Sequence, residues 1–128
     1  MKSISEYYCS HIHEAPISAA TYEKYNQTKA IADSSGRISV YRGQSKQVLN
    51  SFAMDAEVKA LALTPQGQYL AAGDQNGNIR VFDLRTNACC FEELKAGNSG
   101  KGRAFSAVAL SPTGTQLASL AKDGLLRI

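Results

Sequence analysis

The feature that most constrains this sequence is that it repeats itself. Three glycine turns, Asp33-Ser34-Ser35-Gly36-Arg37-Ile38, Asp74-Gln75-Asn76-Gly77-Asn78-Ile79 and Ala121-Lys122-Asp123-Gly124-Leu125-Leu126, place their glycines 41 and 47 residues apart. With the shift of 47, Phe105 to Ile128 lies over Val58 to Val81, and nine of the 24 columns are identical. The identities are Ala60/Ala107, Ala62/Ala109, Leu63/Leu110, Pro65/Pro112, Gly67/Gly114, Leu70/Leu117, Ala71/Ala118, Gly77/Gly124 and Arg80/Arg127. Chance similarity between apolar segments yields a few matches, but it would rarely hold a Pro-x-Gly turn and a later glycine in one register. A chain repeating at this period stacks copies of one small unit, each burying its apolar faces against its neighbours. The shift of 41 extends the pattern back, laying Ile17-Ser18-Ala19-Ala20 over Val58-Lys59-Ala60-Leu61. Lys24-Tyr25-Asn26 then stands where the Pro-x-Gly turn would be, so the first unit is degenerate. Asn26 is expected to supply the left-handed residue of that turn.

Within a unit the pattern is of short strands and turns. Val58 to Leu63 is nearly all apolar, which suits a strand covered on both faces. Thr64-Pro65-Gln66-Gly67 carries Pro second and Gly fourth, as a type I turn prefers. Tyr69 to Gly73 is the next strand, and Asn76-Gly77 predicts a primed turn with positive φ at both central residues. Ile79, Val81 and Phe82 form a third strand, and Ala88 to Leu94 a fourth. Four antiparallel strands in roughly 40 residues is the pattern of a β-propeller blade.

These residues resemble the WD-repeat family of β-propellers. A repeat of that family reads Gly-His, strand, Ser-Pro-Asp-Gly, strand, Asp-Gly turn, strand, Trp-Asp. The second unit offers Thr64-Pro65-Gln66-Gly67, Asn76-Gly77 and Phe82-Asp83. The third offers Ser111-Pro112-Thr113-Gly114 and Asp123-Gly124, and the first offers His13, Ser35-Gly36 and Tyr41-Arg42. The chain has no Trp, so Phe82 and Tyr41 fill its places. Met54-Asp55 stands near the Gly-His position, and Asn76 replaces the turn Asp. No unit holds the full hydrogen-bonded set of His, Ser or Thr, Asp and Trp that ties a blade of the family together. Packing is therefore expected to carry more of the stability.

The fold expected from the resemblance is all-β, with antiparallel four-stranded WD-like blades in an incomplete, open propeller. Residues 1–12 are read as an N-terminal strand of the kind that closes a ring, 13–53 as a degenerate first blade and 54–95 as the second blade. Residues 96–103 are read as a Gly-rich loop and 104–128 as a partial third blade. Because propellers have four to eight blades, the expectation is a fragment of a longer ring. The rival is a short chain that covers its open blade faces by self-association. A β-sandwich is the alternative architecture, since periodic short strands serve both.

Composition narrows the class further. Hydrophobic residues make up 44% of the chain and charged residues 20%, the balance of a folded protein rather than a disordered one. Fourteen Lys and Arg against eleven Asp and Glu leave +3, with the signs interspersed, so charge alone does not call for nucleic acid. Three cysteines, two adjacent, make a poor disulfide framework. Ser3-Ile4-Ser5-Glu6 follows Lys2 where a signal peptide needs an apolar stretch, and apolar runs of about four residues cannot make a membrane-spanning helix. The expectation is an intracellular protein of cytoplasm or nucleus, with no membrane partner.

Each chemically suggestive motif has a plainer reading. Gly97 to Gly102 resembles a phosphate loop, but Lys95 stands where its first Gly belongs and Gly102 where its Ser or Thr belongs. A connecting loop is the better reading. Cys9, His11 and His13 would share one strand face, yet no fourth ligand lies near and the resemblance makes His13 structural. Cys89 and Cys90 would face opposite sides of a strand, so both can hardly serve one site; they read as small apolar fillers. Tyr7, Tyr8, Tyr22 and Tyr25 could meet a peptide or a base, but read as packing residues with a wet hydroxyl. No nucleophile–base–acid set is present, and Glu92-Glu93 point to opposite strand faces. The chain is therefore expected to be non-catalytic and to need no cofactor or metal.

The resemblance implies a scaffold for protein–protein assembly, whose partners meet the loops before the first strand of each unit. The candidate residues there are Glu14, Glu57, Lys101 and Arg103. The alternative is a ribonucleoprotein or nucleic-acid assembly factor built on the same propeller.

Overall fold

A computed structural model describes residues 15–43, 48–93, 105–111, 116–121 and 126–127. The strands are β1 (Ile17–Glu23), β2 (Thr28–Asp33), β3 (Arg37–Arg42), β4 (Asn50–Ala53), β5 (Val58–Leu63), β6 (Tyr69–Asp74), β7 (Ile79–Asp83), β8 (Ala88–Glu93), β9 (Phe105–Leu110), β10 (Leu117–Ala121) and β11 (Leu126–Arg127). They pair only with sequence neighbours, into a sheet β1-β2-β3-β4, a sheet β5-β6-β7-β8 and a three-stranded sheet β11-β10-β9. Every pairing is antiparallel. Three stacked meanders are open propeller blades rather than the two facing sheets of a sandwich. Among the described residues no helix is long and apolar enough to cross a membrane.

The main core lies between the first two sheets. Ala30, Ala32, Ile38 and Val40 of the first meet Val58, Leu70, Ala72 and Phe82 of the second, with Met54 and Leu84 closing the edges. Phe52 stacks on Phe82 with ring centroids 4.2 Å apart and planes 19° apart. The alanines let the sheets approach closely, while the larger side chains fill the space between them. On the other side of the second sheet, Ala60 and Ile79 pack against Val108 and Leu117 of the third. Strand β5 is thus apolar on both faces because it has a sheet on each side, as its sequence predicts.

All three first strands carry a bulge in the same repeat column. Ser18, Lys59 and Ser106 are each the extra residue, between Ile17/Ala19, Val58/Ala60 and Phe105/Ala107. A bulge interrupts side-chain alternation, so Val58 packs into the core toward the first sheet while Ala60, two residues on, packs toward the third.

The turn at Asn76-Gly77 differs from expectation. Gly77 N donates to Asp74 O at 3.2 Å and only Gly77 has positive φ, at 86°. With Asp74 N donating to Asn78 O at 3.1 Å, this is a three-residue loop, 75–77, whose last residue is left-handed, not a two-residue primed turn. Gly36 repeats it, donating to Asp33 O at 3.1 Å with φ at 96°. In the degenerate first turn the positive φ falls on Gln27 rather than Asn26. The turn at Thr64–Gly67 closes as predicted, with Gly67 N donating to Thr64 O at 2.8 Å.

Candidate functional site

Antiparallel alternation sends the loops to two opposite rims. One rim holds the β2–β3, β4–β5 and β6–β7 connections; the other holds β1–β2, β3–β4, β5–β6 and β7–β8. Glu57, on the β4–β5 connection, stands on the first rim. Its carboxylate Oε2 accepts from Lys59 Nζ at 3.0 Å, its side chain remains 36% exposed, and its carbonyl accepts from Gln75 N at 2.8 Å. Beside it Met54 N donates to Gly36 O at 2.8 Å, so at this rim backbone bonds extend the β3–β4 and β5–β6 ladders of the two sheets. Glu14, Lys101 and Arg103 lie outside the described residues, as do Tyr7, Tyr8, Cys9, His11, His13 and the 96–103 loop.

The rim is held from beneath by two buried carboxylates. Asp33 Oδ1 accepts from Ser35 N at 2.9 Å, Ser35 Oγ at 2.6 Å and Arg37 N at 3.1 Å. Asp74 Oδ1 accepts from Asn76 N and Asn78 N, both at 2.9 Å, and Oδ2 from Asn78 Nδ2 at 3.1 Å. A short acidic side chain can satisfy the turn's amides two and four residues on. Attention to Asn76 as the turn residue missed these aspartates. The repeat itself holds the signal, because Asp33 and Asp74 share one column, in which the third unit has Ala121.

The opposite rim is built differently. Glu23, 6% exposed, accepts from Tyr25 N at 3.0 Å, Asn26 N at 3.0 Å and Thr28 N at 3.1 Å. Burial pushes its carboxyl up, but the Thr28 hydroxyl and these amides outweigh that and hold it below the usual carboxylate range. Asn26 Nδ2 donates to Gln66 O of the next sheet at 2.6 Å, and Asn50 Nδ2 donates to Leu84 O at 3.2 Å and to Asn87 Oδ1 at 2.9 Å. Tyr22 and Tyr25, read from sequence as packing residues, are 55% and 70% exposed.

Between the end of β4 and strand β8 lies an open cleft of about 510 Å³, lined by Ala53, Arg80, Phe82, Cys89, Cys90, Phe91 and Glu92. Arg80 spans it, donating from Nε to Glu92 Oε1 at 2.6 Å, from Nη1 to Ala53 O at 3.1 Å and from Nη2 to Asp55 Oδ2 at 3.3 Å. The opposed-face reading of Cys89 and Cys90 is not what the fold shows. Val81 pairs with Phe91 and Phe82 with Cys89, so Cys90 is the extra residue of a bulge. Alternation fails there, and both cysteines line one cleft. Among the described residues no cluster of three or more His, Cys, Asp or Glu side chains could hold a metal ion.

Comparison with known proteins places this geometry. The chain is similar to the Cps50 (Swd1) β-propeller domain of Myceliophteria thermophila, with a TM-score of 0.74 at 14% identity over 90% of this chain and 35% of that one. That likeness concerns the fold. In sequence the chain is 26% identical over 74 residues to the U3 small nucleolar RNA-associated protein 18 homolog of Arabidopsis thaliana, covering 58% of this chain and 14% of that protein. The family described as the anaphase-promoting complex subunit 4 WD40 domain matches residues 21–99. That is more than half of the chain, and the protein belongs to this WD40 family.

Proposed function

We propose that the chain is a non-catalytic scaffold for protein–protein assembly, and that partners meet the rim carrying Glu57. WD40 propellers generally bind other proteins in complexes, and family membership over residues 21–99 is the observation that carries the reading. The state of Glu57 supports it. An exposed pair such as Glu57–Lys59 contributes about 0–1 kcal/mol, so the carboxylate can exchange Lys59 for a partner's cation at little cost. Glu14, Lys101 and Arg103 are proposed to act with it. Partners recovered by crosslinking from cells are expected to bind the Glu14→Ala, Glu57→Ala, Lys101→Ala, Arg103→Ala variant roughly tenfold more weakly, mainly through slower association. Unchanged binding to every recovered partner, with the thermal midpoint preserved, overturns the assignment of these residues.

The second reading is ribonucleoprotein assembly within the nucleus, favoured by the relative whose name is small nucleolar RNA-associated. It predicts direct binding of single-stranded RNA that falls steeply as salt rises. Binding to protein partners that survives nuclease treatment, with no RNA affinity at low salt, favours the protein scaffold.

A further inference from the structure

We propose that Cys89 and Cys90, brought to one side of the sheet by the β8 bulge, form a dithiol site that chelates a trivalent thiophilic centre of the organoarsenical type. The argument rests on placement. In a regular strand two adjacent cysteines face opposite ways, but the extra residue opposite β7 cancels the alternation and both line the β4–β8 cleft. Both are exposed free thiols. Each makes only a weak sulfur bond to a carbonyl, Cys89 Sγ to Phe91 O at 3.1 Å and Cys90 Sγ to Val81 O at 3.4 Å, which a ligand can displace.

The surroundings select the kind of ligand. Arg80, the cation of the cleft, already holds Glu92 and Asp55. Partial burial pushes the Cys90 thiol up, with Asp83 and Cys89 adding to it. Cys90 is therefore a thiol at neutral pH, a poor nucleophile for disulfide exchange. Condensation with a trivalent arsenic oxide suits it better. Each Sγ forms one bond to arsenic, the two thiol protons pass to the oxide oxygen, and that oxygen leaves as one water. Arsenic stays trivalent and no oxidant is needed. Phe91, 47% exposed, offers apolar surface to an aryl substituent.

The test uses the full reduced chain with phenylarsine oxide. The expected result is one adduct per chain, losing two free thiols, resistant to excess glutathione and released by a dithiol. Because the adduct belongs to the folded state, the thermal midpoint should hold or rise. Cys89→Ser and Cys90→Ser should each weaken retention roughly 100-fold, the loss expected when a second tether is cut, whereas Cys9→Ser should retain the adduct. The proposal is overturned if either Cys89→Ser or Cys90→Ser keeps glutathione-resistant arsenic. It is also overturned if the adduct depends on Cys9, or if its formation lowers the midpoint, since the thiols would then be captured by unfolding.

Discussion

The first and second sheets close the same turn after β2 and β6 but use different chemistry after β1 and β5. On the Glu57 rim, Asp33 and Asp74 stand in one repeat column and cap their loops through the same Oδ1 geometry. On the opposite rim, Glu23 caps the first turn with a carboxylate. Thr64 does the equivalent work with a hydroxyl that accepts from Gln68 N and Tyr69 N, both at 3.1 Å. A turn needs an acceptor for its inward amides, and which side chain supplies it is free to vary. The repeat therefore stays intact in geometry where it is lost in sequence.

The shared half of the comparison predicts the largest effect. Asp74→Ala leaves buried turn amides without an acceptor and is expected to cost about 3 kcal/mol. Asp33→Ala should cost a similar amount, both read as a fall in the denaturant midpoint at unchanged slope. Unequal losses, with one near zero, would show that the two turns are alike in shape only.

The next effect concerns where the two sheets touch. Gly67 has φ at 69°, and a Cβ there would stand 2.6 Å from Thr28 Oγ1 and 3.1 Å from Glu23 Oε1 of the first sheet. Gly67→Ala therefore combines left-handed strain of about 1–2 kcal/mol with a clash across the sheet interface. Asn26, its counterpart in the repeat, is exposed and outside the left-handed region, so Asn26→Gly should change stability far less. Equal responses would mean that the two hairpins pack alike after all.

These contrasts show what was legible in the sequence. The glycine spacing and Pro65-Gln66-Gly67 reveal the repeat, the antiparallel meanders and the propeller class, because those residues carry their backbone demands locally. Glu23 as a cap was not legible: it replaces Thr64 with a different chemical type, and only the folded turn brings three amides to its carboxylate. The bulges at Ser18, Lys59 and Ser106 were hidden for a related reason, since an inserted residue leaves no periodic trace in a six- or seven-residue strand. The Cys89-Cys90 bulge reversed a conclusion drawn from strict alternation. Of the rim residues, Glu57 follows from the repeat position, while the carboxylates beneath the rim required the fold.

The smallest effect separates the two caps by pH. Folding holds the Glu23 carboxyl below its usual value, because the Thr28 hydroxyl and the turn amides favour the ionised form over the opposing effect of burial. A depressed folded value means that the contribution is complete above the unfolded carboxyl value of about 4.3, and is lost as pH falls through the lower folded value. Thr64 has no such proton to gain. Glu23→Gln is therefore expected to flatten the acid limb of the stability–pH curve, leaving a variant weaker than the parent at neutral pH but closer to it in acid. Thr64→Ala should lower the whole curve by a constant offset. Parallel acid limbs for the parent and Glu23→Gln would show that the carboxylate's charge is not what holds the first turn, and that Glu23 serves only as one more neutral acceptor, as Thr64 does.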